Sequence, residues 1–118
     1  MKMPAATINL PVIEKGATYN QVLYWKDSAN VAINLTGCTA KIQVRAAEYM
    51  PVIETFSTEN GRIVITPLTG KIEITMTDED SRNLSSIGGI YALEIYHPDG
   101  TTTRLCEGEL LFSYEVTV

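Results

Sequence analysis

The segment from Gly88 to Phe112, GGIYALEIYHPDGTTTRLCEGELLF, limits the possible folds most strongly. Ile90–Tyr96 is a short run of aromatic and branched residues, and Thr101–Phe112 is its return arm. His97-Pro98-Asp99-Gly100 separates them. Proline presets φ for a turn, aspartate can accept a hydrogen bond from the backbone just ahead, and glycine supplies a positive φ. The segment therefore reads as a β-hairpin. Tyr91, Leu93 and Ile95 share a face of the first arm. On the return arm Thr103 and Leu105 share one phase and Leu110 and Phe112 the other, so a β-bulge is expected at Gly108 to restore alternation.

Further upstream, Cys38–Arg45 alternates cleanly. Cys38, Ala40, Ile42 and Val44 face one way, and Thr39, Lys41, Gln43 and Arg45 the other, the pattern of a strand with one face on a core and one in water. Ile8, Leu10 and Val12 alternate in a first strand that ends near Pro11–Glu14. After a turn at Lys15-Gly16, Ala17–Trp25 places Tyr19, Leu23 and Trp25 on one face and Val22 and Tyr24 on the other. Lys26–Asn30 is turn-like, and Val31–Leu35 is a short extended stretch. Val52–Phe56 reads as an edge strand with Pro51 at its start, followed by a turn at Glu59-Asn60-Gly61. Arg62–Thr66 and Lys71–Met76 pair across Pro67-Leu68-Thr69-Gly70. Residues 78–84 form the one short helical candidate, with Thr77 as cap, acids at the helix start and Leu84 aimed at the core.

The pattern predicts an all-β fold: an antiparallel Ig-like β-sandwich of seven or eight short strands with one helical turn near residues 78–84. Tyr91 suits the position of a tyrosine corner. With 118 residues the chain is expected to form a single domain over 1–118, with 1–6 and 114–118 as extended tails.

Composition excludes several functions. Nine basic against fourteen acidic residues give a net charge of −5, so the basic footprint of a nucleic-acid binder is missing. No apolar run approaches the ~20 residues that span a bilayer, and Met1-Lys2-Met3-Pro4 opens no signal peptide. Synthesis in a cytoplasm is the expectation. Cys38 and Cys106 are then expected as free, small hydrophobes rather than an inter-sheet disulfide.

No catalytic, metal or cofactor motif stands out. His97, the one histidine, lies in a turn with no serine or cysteine suggested as its partner, so a catalytic triad lacks a basis. Asp78-Glu79-Asp80 lacks calcium-loop spacing and is read as helix capping. Glu107 and Glu109 share a strand face and are read as solvated charges. Gly70-Lys71 fails as the end of a phosphate-binding loop, because Ile72 stands where a serine or threonine is needed. Tyr49, Met50 and Tyr114, outside the cleanest strand faces, are the candidates for a protein contact. Val52–Phe56 and the segment after Phe112 are candidate edges for pairing with a neighbour's sheet.

A spaced set of segments carries a family resemblance: Gly16-Ala17-Thr18-Tyr19, Tyr24-Trp25-Lys26-Asp27, Asn34-Leu35-Thr36-Gly37 leading into Ala40–Arg45, Gly70–Thr77, Gly89–Ile95, and Pro98-Asp99-Gly100 with Arg104–Gly108 behind it. From about residue 14 to 112 the chain resembles the small Ig-like virion proteins of tailed bacteriophages and prophages, in particular the N-terminal domain of baseplate upper proteins and short tail-module structural proteins. The resemblance implies a non-enzymatic structural protein in the virion, made in the bacterial host cytoplasm. It would be an adaptor or a tail or baseplate component, contacting other tail, baseplate or head–tail proteins and present as a homo-oligomer or in many copies. It brings no site residue with it. The alternative of another class is a carbohydrate-binding or capsid-decoration module adhering to surface glycans.

Overall fold

The computed structural model describes residues 6–113. It is all-β: an Ig-like sandwich of two sheets around one core. The larger sheet runs in the order β1 (Ala6–Thr7), β9 (Thr102–Ser113), β8 (Gly88–Tyr96), β4 (Thr39–Arg45), β5 (Val52–Ser57), with β2 (Ile13–Glu14) also on β9. The smaller sheet is β3 (Tyr19–Tyr24), β7 (Lys71–Met76), β6 (Ile63–Thr66). All pairings are antiparallel except β1 and β2, which lie parallel to β9.

The alternation read from the sequence builds the core. Ala40, Ile42 and Val44 of β4, Tyr91, Leu93 and Ile95 of β8, and Ile72, Ile74 and Met76 of β7 are all buried. The helix α1 (Asp78–Arg82) is shorter than expected but capped as expected, with Thr77 Oγ1 accepting from the Asp80 N–H. Leu84 follows it into the core. Ser81, fully buried on α1, accepts from the Gly16 N–H and donates to the Ala17 carbonyl, which fixes the β2–β3 turn against the helix. Pro67–Thr69, expected as a simple turn, is a 3₁₀ helix closed by Gly70 at a φ of 64°.

Three further expectations are corrected, and a fourth is borne out with an addition. The first strand is broken. Leu10 and Ile13 are buried, but Ile8 and Val12 are exposed, and only two residues on each side keep strand pairing. Between them, Ile8 and Leu10 still donate to the Glu107 and Glu109 carbonyls at 2.8 and 3.0 Å.

The bulge is not at Gly108. Leu93 pairs with Cys106 and Glu94 with Arg104, so Leu105 is the extra residue. Gly108 sits in regular register opposite Tyr91, and its missing side chain serves another end. A Cβ there would lie 2.3 Å from the Ile8 carbonyl oxygen. Glycine lets the N-terminal segment cross β9 at close range.

Nor does Tyr91 make a tyrosine corner, since its hydroxyl reaches far back in the sequence instead of to its own corner. It donates to the Ile8 carbonyl at 2.6 Å, while Tyr19 of the opposite sheet donates to the Pro11 carbonyl at 2.8 Å. Two buried phenols therefore hold one segment. Burial pushes the Tyr19 hydroxyl up to about 12, and moves Tyr91 the same way, helped by its hydrogen bond to Cys106. The unfolded phenols titrate near 10, so the native state holds protons that the unfolded chain releases. Stability is intact below about pH 10 and falls as pH rises from 10 toward 12. A titration followed by Trp25 fluorescence is expected to show this loss, and a Tyr19→Phe, Tyr91→Phe double variant to flatten it. That variant gives up about 1 kcal/mol per hydroxyl at neutral pH.

Last, β5 is an edge strand, as expected, but its edge is partly closed. The Asn60 carboxamide accepts from the Ser57 N–H and donates to the Thr55 carbonyl, both at 3.0 Å, and Arg62 donates to the same carbonyl at 3.1 Å. Those two edge groups are the ones that the C=O and N–H of one residue in a parallel added strand would engage, so Asn60 occupies the place of a neighbour. Replacing Asn60 with Ala removes about 2 kcal/mol of local protection, which is roughly thirtyfold faster hydrogen exchange at the Ser57 amide. An unchanged Ser57 rate would refute this role. The second edge candidate, the segment after Phe112, continues past Ser113 outside the described residues.

Candidate protein interaction surface

On the larger sheet, the residues that alternate with the core form an outer face. Lys41, Gln43 and Arg45 of β4 stand beside Glu94, Ala92 and Ile90 of β8, which in turn stand beside Arg104, Glu107 and Glu109 of β9. The bulge at Leu105 makes this possible. It brings Cys106, Leu110 and Phe112 inward, and with them Glu107 and Glu109 outward.

The face is concave, with a trough of about 580 Å³ whose floor includes Ile90 and Ala92. Thr7 and Asn9 of the N-terminal segment line one side, and Glu48 and Tyr49 of the β4–β5 turn line the other. Tyr49 is 94% exposed and has a φ of 68°, a left-handed conformation that is costly for a bulky residue. The turn holds it there. The Met50 N–H donates to the Ala47 carbonyl, and Arg45 donates to the Met50 carbonyl at 2.6 Å.

Of the three candidate contact residues, Tyr49 lines the trough. Met50 is exposed beside it, with its backbone anchoring Arg45. Tyr114 lies outside the described residues. Gln43, Arg45, Ile90, Glu107 and Glu109 were not singled out as contact residues from the sequence. Their outward phase was readable on β4 but not on β9, where it depends on the position of the bulge.

The sequence offered no partner for His97, and the structure supplies two. Cys38 Sγ lies 3.5 Å from Nδ1 and Thr103 Oγ1 lies 2.9 Å from Nε2, with the Trp25 ring centroid 6.2 Å from that of the imidazole. Cys38 comes from the start of β4 and Thr103 from β9, so the pair exists only once the sheet forms. It is not an activated nucleophile. Burial, and then the charge of Asp99, push the Cys38 thiol up, whereas nucleophilic cysteines need the thiolate. Both ring nitrogens of the imidazole thus have a partner, and the two contacts tie the hairpin turn to β4 and β9.

Both cysteines are free, and the register keeps them apart. Cys106 pairs with Leu93, whereas Cys38 precedes Thr39, the partner of Tyr96. Cys38 is therefore level with His97, four residues from Leu93, an offset of roughly 13 Å along the strands with β8 between the two cysteines, beyond disulfide reach.

Asp78, Glu79 and Asp80 serve the helix start, and Asp80 also lies 3.4 Å from Arg62. Among the described residues no group of three or more His, Cys, Asp or Glu side chains is placed to hold a metal ion, and no helix is long and apolar enough to cross a membrane.

No protein-family model and no curated protein matches the chain. Similar solved structures include one from a study of multimeric cell-adhesive interactions of VGSC beta subunits, 13% identical over 92% of both chains with a TM-score of 0.44. Another is Drosophila OTK, extracellular domains 3–5, 11% identical over 98% of this chain and 36% of that one, with a TM-score of 0.41. At these scores neither likeness bears on function. The strand order itself carries the fold assignment.

Proposed function

We propose that this domain is a non-enzymatic virion protein of a tailed bacteriophage or prophage, an adaptor or tail or baseplate component that works through protein–protein assembly. The supporting observation is the trough on the outer face of the larger sheet. It combines the apolar Ile90 and Ala92 with the charged Arg45, Glu107 and Glu109, and Tyr49 is held out at one margin. Protein contacts use such anchors, an exposed aromatic next to a small apolar centre with polar surroundings. The virion setting rests on the spaced segments that resemble phage Ig-like proteins, two of which, Gly70–Thr77 and Gly89–Ile95, supply the central strands β7 and β8. A glycan platform calls for aromatics gathered on one surface, whereas the exposed Tyr24 and Tyr49 belong to strands and turns of different sheets, so this second reading ranks below the first.

Mass spectrometry of particles purified from a host carrying the gene tests the proposal. The chain is expected in the particles, in fixed ratio to the tail proteins. Its absence from intact particles would overturn the virion reading.

A further inference from the structure

Among the described residues the edges of the two sheets are not alike. The larger sheet ends in β1, only two residues long, and in β5, which Asn60 and Arg62 partly close. In the smaller sheet β6 has four residues and runs into Pro67. Short strands, prolines and groups laid over the edge are the ordinary means of keeping a strand from pairing. The remaining edge, β3, has none of them. It is six residues long, and residues 17–25, which contain it, include no charge, proline or glycine. We propose that two copies of this chain pair through β3, antiparallel, about a twofold axis that passes at Val22 normal to the sheet, so that the two smaller sheets become one.

The ladder fixes which groups of β3 are free. The Trp25 N–H donates to the Gly70 carbonyl at 2.8 Å, one pair beyond Tyr24–Lys71. Bonded pairs alternate in an antiparallel ladder, so Leu23, Gln21 and Tyr19 bond to β7, and Asn20, Val22 and Tyr24 turn their N–H and C=O groups outward. Among the described residues these outward groups have no partner. The axis sets Val22 opposite its own mate and Asn20 opposite Tyr24, and each of these pairs exchanges both backbone bonds. The side chains suit a neighbouring strand as well. Val22 and Tyr24 are exposed on the outer face, while Leu23 and Trp25, on the other face, are only partly buried at the margin of the core.

An edge strand refuses its own copy chiefly through like charges set opposite each other. Here none are. Glu73 stands beside Val22 on β7, and in the joined sheet the two copies of Glu73 are three strand spacings apart, roughly 14 Å, beyond the screening length of about 8 Å. Lys71 stands beside Tyr24, and its row continues to Asn20 and Thr75 of the second copy. Past the end of the strand, Lys26 falls opposite Thr18 and Asp27 opposite Ala17. Thr18 is level with Thr77, the cap of α1. Lys26, whose amine lies over the Tyr24 ring, therefore extends toward the helix start that carries Asp78, Glu79 and Asp80 in the second copy. The strand is compatible with itself along its whole length, and the lysine that reaches past it finds carboxylates. Both features name a second copy as the occupant.

Light scattering coupled to size exclusion and amide hydrogen exchange, both over a concentration series, test the proposal. The wild type is expected to pass from monomer to dimer as concentration rises. The amides of Asn20, Val22 and Tyr24 are expected to slow with it, while those of Gln21 and Leu23 are slow throughout. Val22→Pro removes an N–H that faces away from β7, so circular dichroism is expected to show the fold kept. The dimer is expected to weaken on the order of a hundredfold, because two bonds at the axis are lost and two carbonyls are left unpaired. Val22→Lys and Val22→Glu each set like charges at the axis and are expected to be monomeric alone, whereas an equal mixture of the two dimerises. A wild type that stays monomeric throughout, or a dimer that neither Val22→Pro nor Val22→Lys weakens, overturns the proposal. β3 belongs to the sheet without the trough, so either result leaves the virion reading to be judged by the particle analysis.

Discussion

Replacing Gly108 with Ala is expected to cost about 3 kcal/mol. The new methyl would stand 2.3 Å from the Ile8 carbonyl oxygen, 2.8 Å from the Ile8 carbonyl carbon and 2.9 Å from Asn9 Oδ1. Two of those atoms are backbone, so a rotamer change cannot relieve the clash. Either β9 or the N-terminal segment must move. The segment is the weaker partner, because its paired strands β1 and β2 are two residues each. Its displacement takes away the acceptor of the Tyr91 hydroxyl and the bonds from Ile8 and Leu10 to β9, and it loosens Leu10 and Ile13 from the core. Urea unfolding would read the loss. Faster amide exchange at Ile8 and Leu10, and a tyrosine titration moved back toward 10, would locate it. Gly61→Ala is the control, since its Cβ meets nothing within 4 Å and its cost is limited to its φ of 77°. If Gly108→Ala costs no more than Gly61→Ala, the crossing is not tight and the account of Gly108 fails.

The same glycine shows what a single sequence can and cannot disclose. Alternation with period two is local, so the phases of β4, β7 and β8 were legible, as were the Thr77 cap and the turn at Asn60-Gly61. The phase of β9 was not. Thr103 and Leu105 against Leu110 and Phe112 shows that a slip occurs between them, and glycine was the natural place to put it. Pairing with β8 puts the slip at Leu105, which the pattern on one strand does not encode.

Long-range partnerships were equally hidden. Tyr91 and Ile8 are 83 residues apart, and Cys38 and His97 are 59 apart. Propensity scales say nothing about such pairs. The N-terminal segment looked like a strand because Ile8, Leu10 and Val12 alternate. However, it must pass over Gly108 and accept two phenol hydrogen bonds, and those contacts break its ladder. The candidate surface was half legible for the same reason. Tyr49 stood out as an aromatic in a turn, while the trough it borders requires the strand order β9–β8–β4.

Phe56→Ala is expected to cost about 3–5 kcal/mol, and the consequences extend beyond the cavity. Phe56 is fully buried on β5, while the preceding residues of the strand, Val52 to Thr55, are half-buried or exposed. This ring is thus the main apolar anchor of an edge strand. The Arg62 guanidinium lies 5.7 Å from its centroid, and the same side chain donates to Glu54 Oε1 at 2.6 Å and to the Thr55 carbonyl. The ring positions the arginine, and the arginine with Asn60 closes the edge. Losing the ring should therefore free β5 as a unit and expose the β4 edge to intermolecular pairing.

Urea unfolding followed by Trp25 fluorescence measures the first effect, and concentration-dependent light scattering the second. A double-mutant cycle with Arg62→Ala separates them: a coupling of about 0.5–1 kcal/mol is expected from the cation over the ring. A Phe56→Ala variant that loses less than about 1 kcal/mol would show that the β4–β5 ladder holds without its apolar anchor. The protection of this edge would then be attributable to the Asn60 carboxamide alone.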